Sequence, residues 1–349
     1  MTVPAAVDLL RIFPKCEVLV IGDFMLDEYV WGHIDRISPE APVPILKVCR
    51  REHTLGGAGN AARNLRGLGA RVSVLGVTGA DEAGDKLQTL MGECEIDRTG
   101  LLCVGARCST RKARMMSLEH GQQVFRLDEE NVSWIDRKTE DALLELAEAR
   151  LRYVSAVLCS DYLKGVLTER VLQSTFRLAR SLGKPVVVAP KDSRPEKYFG
   201  ADVLIPNAKE LAQLARSDQS ASDWLEVAAH KIVKELELGS LLVTRGSEGL
   251  SLFERSQETL RRTDVATAAR SVYDVTGAGD TVVSTFTLAV SAGADRQTAA
   301  RLANLAAGIV VGKRGTAYVS VEELQHRLME ESEKPLNEEA LAAGCGERR

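Results

Sequence analysis

Six stretches of the chain run apolar almost without interruption: residues 17–23 (EVLVIGD), 71–77 (RVSVLGV), 156–159 (AVLC), 185–189 (PVVVA), 202–205 (DVLI) and 240–244 (SLLVT). A strand with one face in water alternates apolar and polar side chains. Unbroken runs of this length therefore predict strands covered on both faces, as in a parallel sheet. Segments with helical periodicity separate many of them, at residues 60–68, 138–152, 169–182 and 223–236. Strand and helix in alternation predict βαβ units and an α/β fold, a doubly wound, mostly parallel sheet flanked by helices.

Two regions depart from that pattern. In residues 29–55 and 103–128, short β-prone pieces such as 43–48 replace helices, and charged residues alternate with apolar ones. They predict a small β-sheet lid. After Ser271 the chain is rich in Ala, Gly and Val through two expected helices, 279–292 and 296–311, whose small residues allow close packing on the sheet. Residues 329–349 form a polar tail expected to be loose.

A chain of 349 residues with 45% apolar content can bury a sizeable core. Its formal net charge of −4 gives no global attraction for nucleic acid or an anionic membrane, so an anionic ligand must be met by a local site. No apolar run approaches the roughly 20 residues that span a bilayer, and the first 14 residues carry no signal-peptide pattern, which predicts a cytoplasmic protein. The seven cysteines include no CxxC pair and are expected to be reduced packing residues. The five histidines include no HxxxH pair and are expected at the surface rather than on a metal.

The most informative segment is DVTGAGDT, residues 274–281, which sets two glycines and an alanine just before an apolar helical run. Such a turn can expose backbone N–H groups at a helix N-terminus, where they and the helix dipole stabilise the charge on a transferring phosphoryl group. Asp280 beside them could accept a proton from an attacking hydroxyl. An N-cap after a glycine turn is the alternative.

DVTGAGDT closely resembles the C-terminal signature of the ribokinase-like (PfkB) sugar kinases. That resemblance assigns Asp280 as catalytic base and Gly277, Ala278 and Gly279 to the anion hole. It also implies ATP and Mg²⁺, with K⁺ near Asp274, Thr276 and residues 315–317. A second family signature is matched by Gly56, Gly57, Gly59 and Asn60 in LGGAGNAARNL, implying contacts to sugar hydroxyls. The same piece reads as a weak G-x-G-x-x-A dinucleotide fingerprint, but polar residues 49–54 intervene where a Rossmann turn would follow the first strand directly. By the same resemblance Asn207 and Glu210 in PNAKE organise magnesium and phosphate, the latter through water. Thr244, Arg245, Gly246 and Gly249 in VTRGSEG contact the nucleotide, and Asn304 and Gly308 line an adenine pocket. No P-loop and no H-R-D with D-F-G is visible.

Residues 22–46, GDFMLDEYVWGHIDRISPEAPVPIL, resemble the D-glycero-D-manno-heptose 7-phosphate kinases of lipopolysaccharide precursor synthesis, as do SDYLKGVL, FGADVLIPN and GKRGTAYVS. The likeness covers about residues 15–328, one kinase domain. It implies a heptose 1,7-bisphosphate product, sugar contacts from Asp23 and Asp27, and a homodimer formed through the lid, with residues 36–44 in contact. Either Asp could instead cap a strand end or turn. The substrate's phosphate needs cations, and Lys112, Arg114 and Arg126 in the lid are the candidates, Arg111 pointing away on the opposite face. Ala189 stands where heptose kinases usually carry Asp before Pro-Lys, which removes a carboxylate beside the expected site. No H-x-G-H signature of a nucleotidyltransferase domain is present. Other ribokinase-family sugar kinases, a non-catalytic sugar or nucleotide sensor and, at a distance, an oxidoreductase are the competing readings.

Overall fold

The computed structural model describes residues 3–119, 121–256, 259–313 and 317–332. In chain order the strands are β1 (Glu17–Gly22), β2 (Phe24–His33), β3 (Lys47–Gly57), β4 (Arg71–Thr78), β5 (Asp97–Cys103), β6 (Thr110–Ser117) and β7 (Gln123–Glu129). They continue with β8 (Ala156–Ser160), β9 (Val186–Ala189), β10 (Val203–Leu204), β11 (Ser240–Thr244), β12 (Leu250–Ser256) and β13 (Thr259–Val265). The helices are α1 (Val3–Ile12), α2 (Ala58–Gly67), α3 (Glu82–Glu93), α4 (Arg137–Leu151) and α5 (Glu169–Ser181). They are followed by α6 (Ala208–Ala215), α7 (Trp224–Glu235), α8 (Ala278–Ser291), α9 (Arg296–Val310) and α10 (Val321–Ser332).

Nine strands form the main sheet in the order β13-β12-β11-β10-β9-β8-β1-β4-β5. Pairing is parallel from β11 through to β5 and antiparallel for the β11–β12 and β12–β13 edges. Both faces are covered. Along β1, Val18 and Val20 join the core cluster that includes Leu65, Phe286 and Leu302, whereas Leu19 and Ile21 join the one that includes Leu143, Phe176 and Ile232. This period of two is why the run carries no polar alternation. Side-chain caps start several helices, with Asp136, Thr168 and Asp295 accepting from the first-turn amides of α4, α5 and α9.

The second sheet has the order β3-β2-β6-β7 and is the expected lid. Its extent differs from expectation. The lid begins at Phe24, polar residues 49–54 lie inside β3, and Cys103 ends β5 of the main sheet. α1, α3, the β12–β13 hairpin and α10 were not evident from the pattern, and α10 carries regular structure to Ser332. The rest of the expected loose tail lies outside the described residues.

The packing expected of the cysteines holds for Cys16 and Cys159, which are buried, but Cys49, Cys103 and Cys108 are exposed. Exposed sulfur at these three positions follows from their place on lid and edge segments, where no second layer covers them. Among the described residues the cysteines are free thiols; Cys345 and His120 lie outside those residues.

The strand order reverses between β8 and β1, since the chain runs from β1 outward to β4 on one side and returns through β8 on the other. In open α/β sheets the crevice at the carboxyl ends of such strands is where ligands bind. Asp23 follows β1, and Asp161 and Tyr162 follow β8, at that crevice.

Candidate active site

A cavity of about 470 Å³ lies at the carboxyl ends of β8 to β11. Its wall brings together Asn207, Glu210, Thr244, Gly246, Gly277, Gly279 and Asp280, residues drawn from three motifs far apart in the chain. Asp161, Tyr162, Ala189 and Lys191 complete the polar and strand-end side.

Asp280 sits in the first turn of α8. Gly277 precedes that helix with φ +83°, and a Cβ there would lie 2.8 Å from Asn60 Nδ2, so both backbone and space call for glycine. Thr281 N donates to Gly277 O at 3.0 Å, the first α-helical bond, which leaves the amides of Gly279 and Asp280 without a partner inside the helix. Ala278 N is engaged with Val275 O at 3.2 Å. The open donors at the start of α8 are therefore those of residues 279 and 280, and Ala278 is not one of them. A Cβ on Gly279 would meet nothing within 4 Å, so the space in front of these amides is open.

The half-buried carboxyl of Asp280 is gripped by two uncharged donors. Asn60 Nδ2 donates to Oδ2 at 2.7 Å and Tyr162 Oη donates to Oδ1 at 2.6 Å. Burial pushes its pKa up to about 6; the Tyr162 and Asn60 hydrogen bonds pull it down, and the negative charge of Asp27 pushes it up further. Asn60 is positioned by α2, which is tied to α8 by a polar seam: Thr281 Oγ1 donates to Asn64 Oδ1 at 2.9 Å and Ser284 Oγ to Ala61 O at 2.9 Å. Asn60, expected to contact sugar hydroxyls, gives its amide nitrogen to the carboxyl of Asp280.

Asp23 is 1% exposed, and its carboxylate accepts from Tyr162 N (2.8 Å), Lys164 N (3.0 Å) and Val166 N (3.1 Å). Buried and bound by three amides, it anchors the loop after β8. Burial nonetheless raises its pKa, as does the neighbouring Asp161. Gly57, with φ +56°, lets Ala58 N reach Asp23 O at 3.1 Å; a Cβ at Gly57 would stand 2.6 Å from that oxygen.

The lid charges are largely spent on one another. Arg114 Nη1 pairs with buried Asp27 Oδ1 at 2.8 Å and stacks 5.3 Å from the Tyr29 ring centroid. A Cβ on Gly56 would lie 2.6 Å from Asp27 Oδ2, so this glycine makes room for that carboxylate. Arg126 is held in a fork by Asp128 at 2.7 and 2.8 Å. Arg111 lies on the opposite face of β6, bound to Glu28. Lys112, opposite Asp27 in the β2–β6 register, has no ion-pair partner among the described residues. Burial depresses its pKa, Asp27 opposes this, and the like charges of Lys164 and Arg126 add to the depression.

On the α6 side of the cavity Asn207 and Glu210 form a capping box. Asn207 Oδ1 accepts from Glu210 N at 2.8 Å and Glu210 Oε2 from Asn207 N at 2.9 Å, while Lys191 Nζ donates to Glu210 Oε1 at 2.8 Å. Arg245 does not line the cavity, because its guanidinium pairs with Glu248 at 2.6 Å and approaches Asp264 at 3.7 Å. Gly249, with φ +88°, packs against the Val265 carbonyl and also stands outside the cavity wall. Asn304 Nδ2 donates to Ala266 O at 2.7 Å, and Gly308 lies against Ala268, so both dock α9 on the segment after β13. Asp274 Oδ1 accepts from Thr276 N at 2.8 Å and lines a separate cavity shared with Tyr29, Trp31 and Thr54 of the lid. Residues 315 and 316 of the expected cation loop lie outside the described residues. Sequence reasoning did not single out Tyr162, Asp161 or Lys191, although SDYLKGVL contains the first two and Lys191 belongs to the Pro-Lys pair after Ala189.

Residues 16–324 match the pfkB family carbohydrate kinase profile. The chain is 44% identical over 333 residues to the Bifunctional protein HldE of Geotalea uraniireducens (strain Rf4), covering 94% of this chain and 67% of that protein. With the Bifunctional protein HldE of Desulfatibacillum aliphaticivorans it shares 42% identity over 320 residues, 92% of this chain and 64% of that one. The chain thus spans about two thirds of the length of these relatives. In fold it is similar to an Arabidopsis thaliana ribokinase complexed with ribose and ATP, with TM-score 0.71, 20% identity, and 90% of this chain and 98% of that one covered. It is likewise similar to phosphofructokinase-2 from Escherichia coli in complex with potassium, with TM-score 0.74, 19% identity and coverages of 91% and 99%.

Proposed function

The chain belongs to the pfkB family of carbohydrate kinases, ATP-dependent phosphotransferases acting on a sugar hydroxyl, and from that premise we propose that its acceptor is the first-carbon hydroxyl of D-glycero-D-manno-heptose 7-phosphate. The product is the heptose 1,7-bisphosphate, a precursor for ADP-heptose. Asp280 takes the hydroxyl proton as the oxygen bonds to the γ-phosphorus; the bond to the β–γ bridging oxygen breaks and ADP leaves. The amides of Gly279 and Asp280, at the positive end of α8, stabilise charge on the transferring group. One observation carries this reading: a carboxyl with its pKa lifted to about 6, held by two neutral donors, faces the cavity beside an open helix N-terminus.

Glu210 fits a water-mediated contact to Mg²⁺, since it stands on the cavity wall and its two hydrogen-bonded oxygens each retain a lone pair. When bound, that ion would neutralise phosphate charge. Asn207, Thr244 and Gly246 border the same space and suit the nucleotide phosphates; Asp274 and Thr276 suit a K⁺ ion at the edge. For the substrate's 7-phosphate, the half-buried ammonium of Lys112 is the best-suited cation, with Arg114 and Arg126 already paired. Gly56, Gly57, Asn60 and Asp27 border the sugar. Exposed Ile37, Val43, Phe125 and Leu127 support a homodimer through the lid.

A coupled ADP-release assay over a panel of sugars and sugar phosphates tests the assignment. Asp280→Asn should lower kcat on the order of 10² to 10⁴ while ATP binding survives. Near wild-type kcat in that variant would remove Asp280 from the base role.

A further inference from the structure

We infer that Tyr162 is a positioning residue that holds the Asp280 carboxyl for proton transfer, and that buried Asp23 acts through it by fixing the loop that carries it. This deepens the assignment of Asp280 as base and rests on it.

The phenol donates to Asp280 Oδ1 at 2.6 Å, across 118 residues of sequence. It complements the Asn60 bond to the other oxygen, so the carboxyl is clamped from two sides and neither C–C rotation nor tilt is free. Each oxygen keeps a second lone pair, which leaves the carboxylate able to accept a substrate proton. Burial and the facing carboxylate push the phenol's own pKa upward, so Tyr162 stays protonated and donates.

The loop presenting Tyr162 is over-determined. Leu163 adopts φ +57° and Gly165 φ +89°, and a side chain at residue 165 would collide with the Ser133 carbonyl. A non-glycine residue in the left-handed region persists only where surroundings hold it. Here Asp23 accepts from the amides of 162, 164 and 166, Asp161 Oδ1 accepts from Leu163 N at 2.9 Å, and Arg107 Nη2 donates to Lys164 O at 2.6 Å. That arrangement explains why a buried carboxylate sits at the end of β1: by binding the amide of Tyr162 it sets the place of that residue's hydroxyl.

Among the described residues, three other carboxylates of this crevice are paired. They are Asp27 with Arg114, Asp161 with Lys197, and Glu210 with Lys191. The Tyr162 bond lowers the pKa of Asp280 against the pull of burial, so losing it should raise that pKa. A base works deprotonated; a higher pKa therefore moves the acid limb of activity to higher pH.

The test is Tyr162→Phe, which removes one oxygen and keeps the ring. The acid limb of kcat/KM should move up by roughly one pH unit, and activity below the limb should fall about tenfold. KM for ATP should stay near wild type. A ¹³C titration of the Asp280 carboxyl in the ligand-free protein should move the same way, a readout that a merely structural role would not give. Asp23→Asn, which turns an NH₂ toward a loop amide, should shift the limb in the same direction. An unmoved limb and an unmoved carboxyl titration in Tyr162→Phe overturn the inference even if Asp280→Asn is inactive. Should Asp280→Asn remain active, the base assignment falls, and the carboxyl titration still decides whether the phenol holds Asp280.

Discussion

Asp280 in the crevice and Glu28 in the lid are both carboxyls drawn out of bulk water, yet their protonation is pushed in opposite directions. Glu28 is 1% exposed, and burial alone would raise its pKa; hydrogen bonds from Arg51 at 2.7 Å and Arg111 at 2.5 Å outweigh that and hold it below the ordinary value. Asp280 has an amide and a phenol in place of the guanidinium groups, and burial wins. The cationic partners of Glu28 outweigh its burial, whereas the neutral donors of Asp280 do not outweigh burial and the charge of Asp27 together. The carboxyl proposed to take up a proton is held by neutral donors. One that must keep a sheet together is held by cations.

The contrast can be broken at three points. The largest effect is expected from Glu28→Gln, which leaves two arginines facing a neutral amide. At pH 7 it should cost about 2–3 kcal/mol in denaturant unfolding, the cost of breaking a buried pair reduced because the arginines are partly exposed. The folded pKa of Glu28 is depressed from 4.5, so wild-type stability from this group is present above about that pH and is lost as pH falls through the lower folded value. The difference between the two proteins should therefore shrink in acid. No loss at pH 7 would show that the pair is not a structural tie.

Asp280→Asn should do the reverse. A folded pKa of about 6 against 3.8 means that folding favours the protonated form, so ionisation at neutral pH destabilises the native state. Removing the charge should raise stability by about 1–2 kcal/mol at pH 8, with the gain fading as pH drops through about 6 and absent below 3.8. An inactive variant that is no more stable at pH 8 would contradict the neutral-donor account.

The smallest effect sharpens the comparison inside the lid. Lys112 has no carboxylate to release, so Lys112→Ala should leave the unfolding midpoint nearly unchanged while raising KM for the phosphorylated sugar about tenfold over unphosphorylated ones. Equal KM changes for both would place the phosphate receptor elsewhere.

The strands buried on both faces were legible because their apolar runs are continuous, and Asp280 was legible because its glycine turn and helix start are local. α3 was harder to see, since Gly84 and Gly92 lower its helical propensity and the cap that starts it, Asp81 to Gly84 N at 2.8 Å, is one bond. The polar edge strand β13 hides for a similar reason, with its register set by pairing to β12. Arg114 seemed free for phosphate because its partner Asp27 is 87 residues away. Tyr162 gave no local signal of its role at all: one tyrosine after a strand looks the same whether or not its hydroxyl meets a carboxyl. Asp23 was recognisable as special with its role left open between a sugar contact and a turn cap, because a carboxylate at a strand end reads alike whether it serves a ligand or the loop beside it.

The seam joining α2 to α8 ties the working carboxyl to a residue 220 positions earlier. Closing a loop of that length costs on the order of 5 kcal/mol of chain entropy before any contact made there offsets it. Neither half of the protein holds a clamped Asp280 alone, and the clamp is assembled only once the late helices have docked on the early ones. During synthesis, a nascent chain that has made its lid and Asn60 still lacks the carboxyl that Asn60 holds. Phosphoryl transfer thus begins as a property of the finished fold.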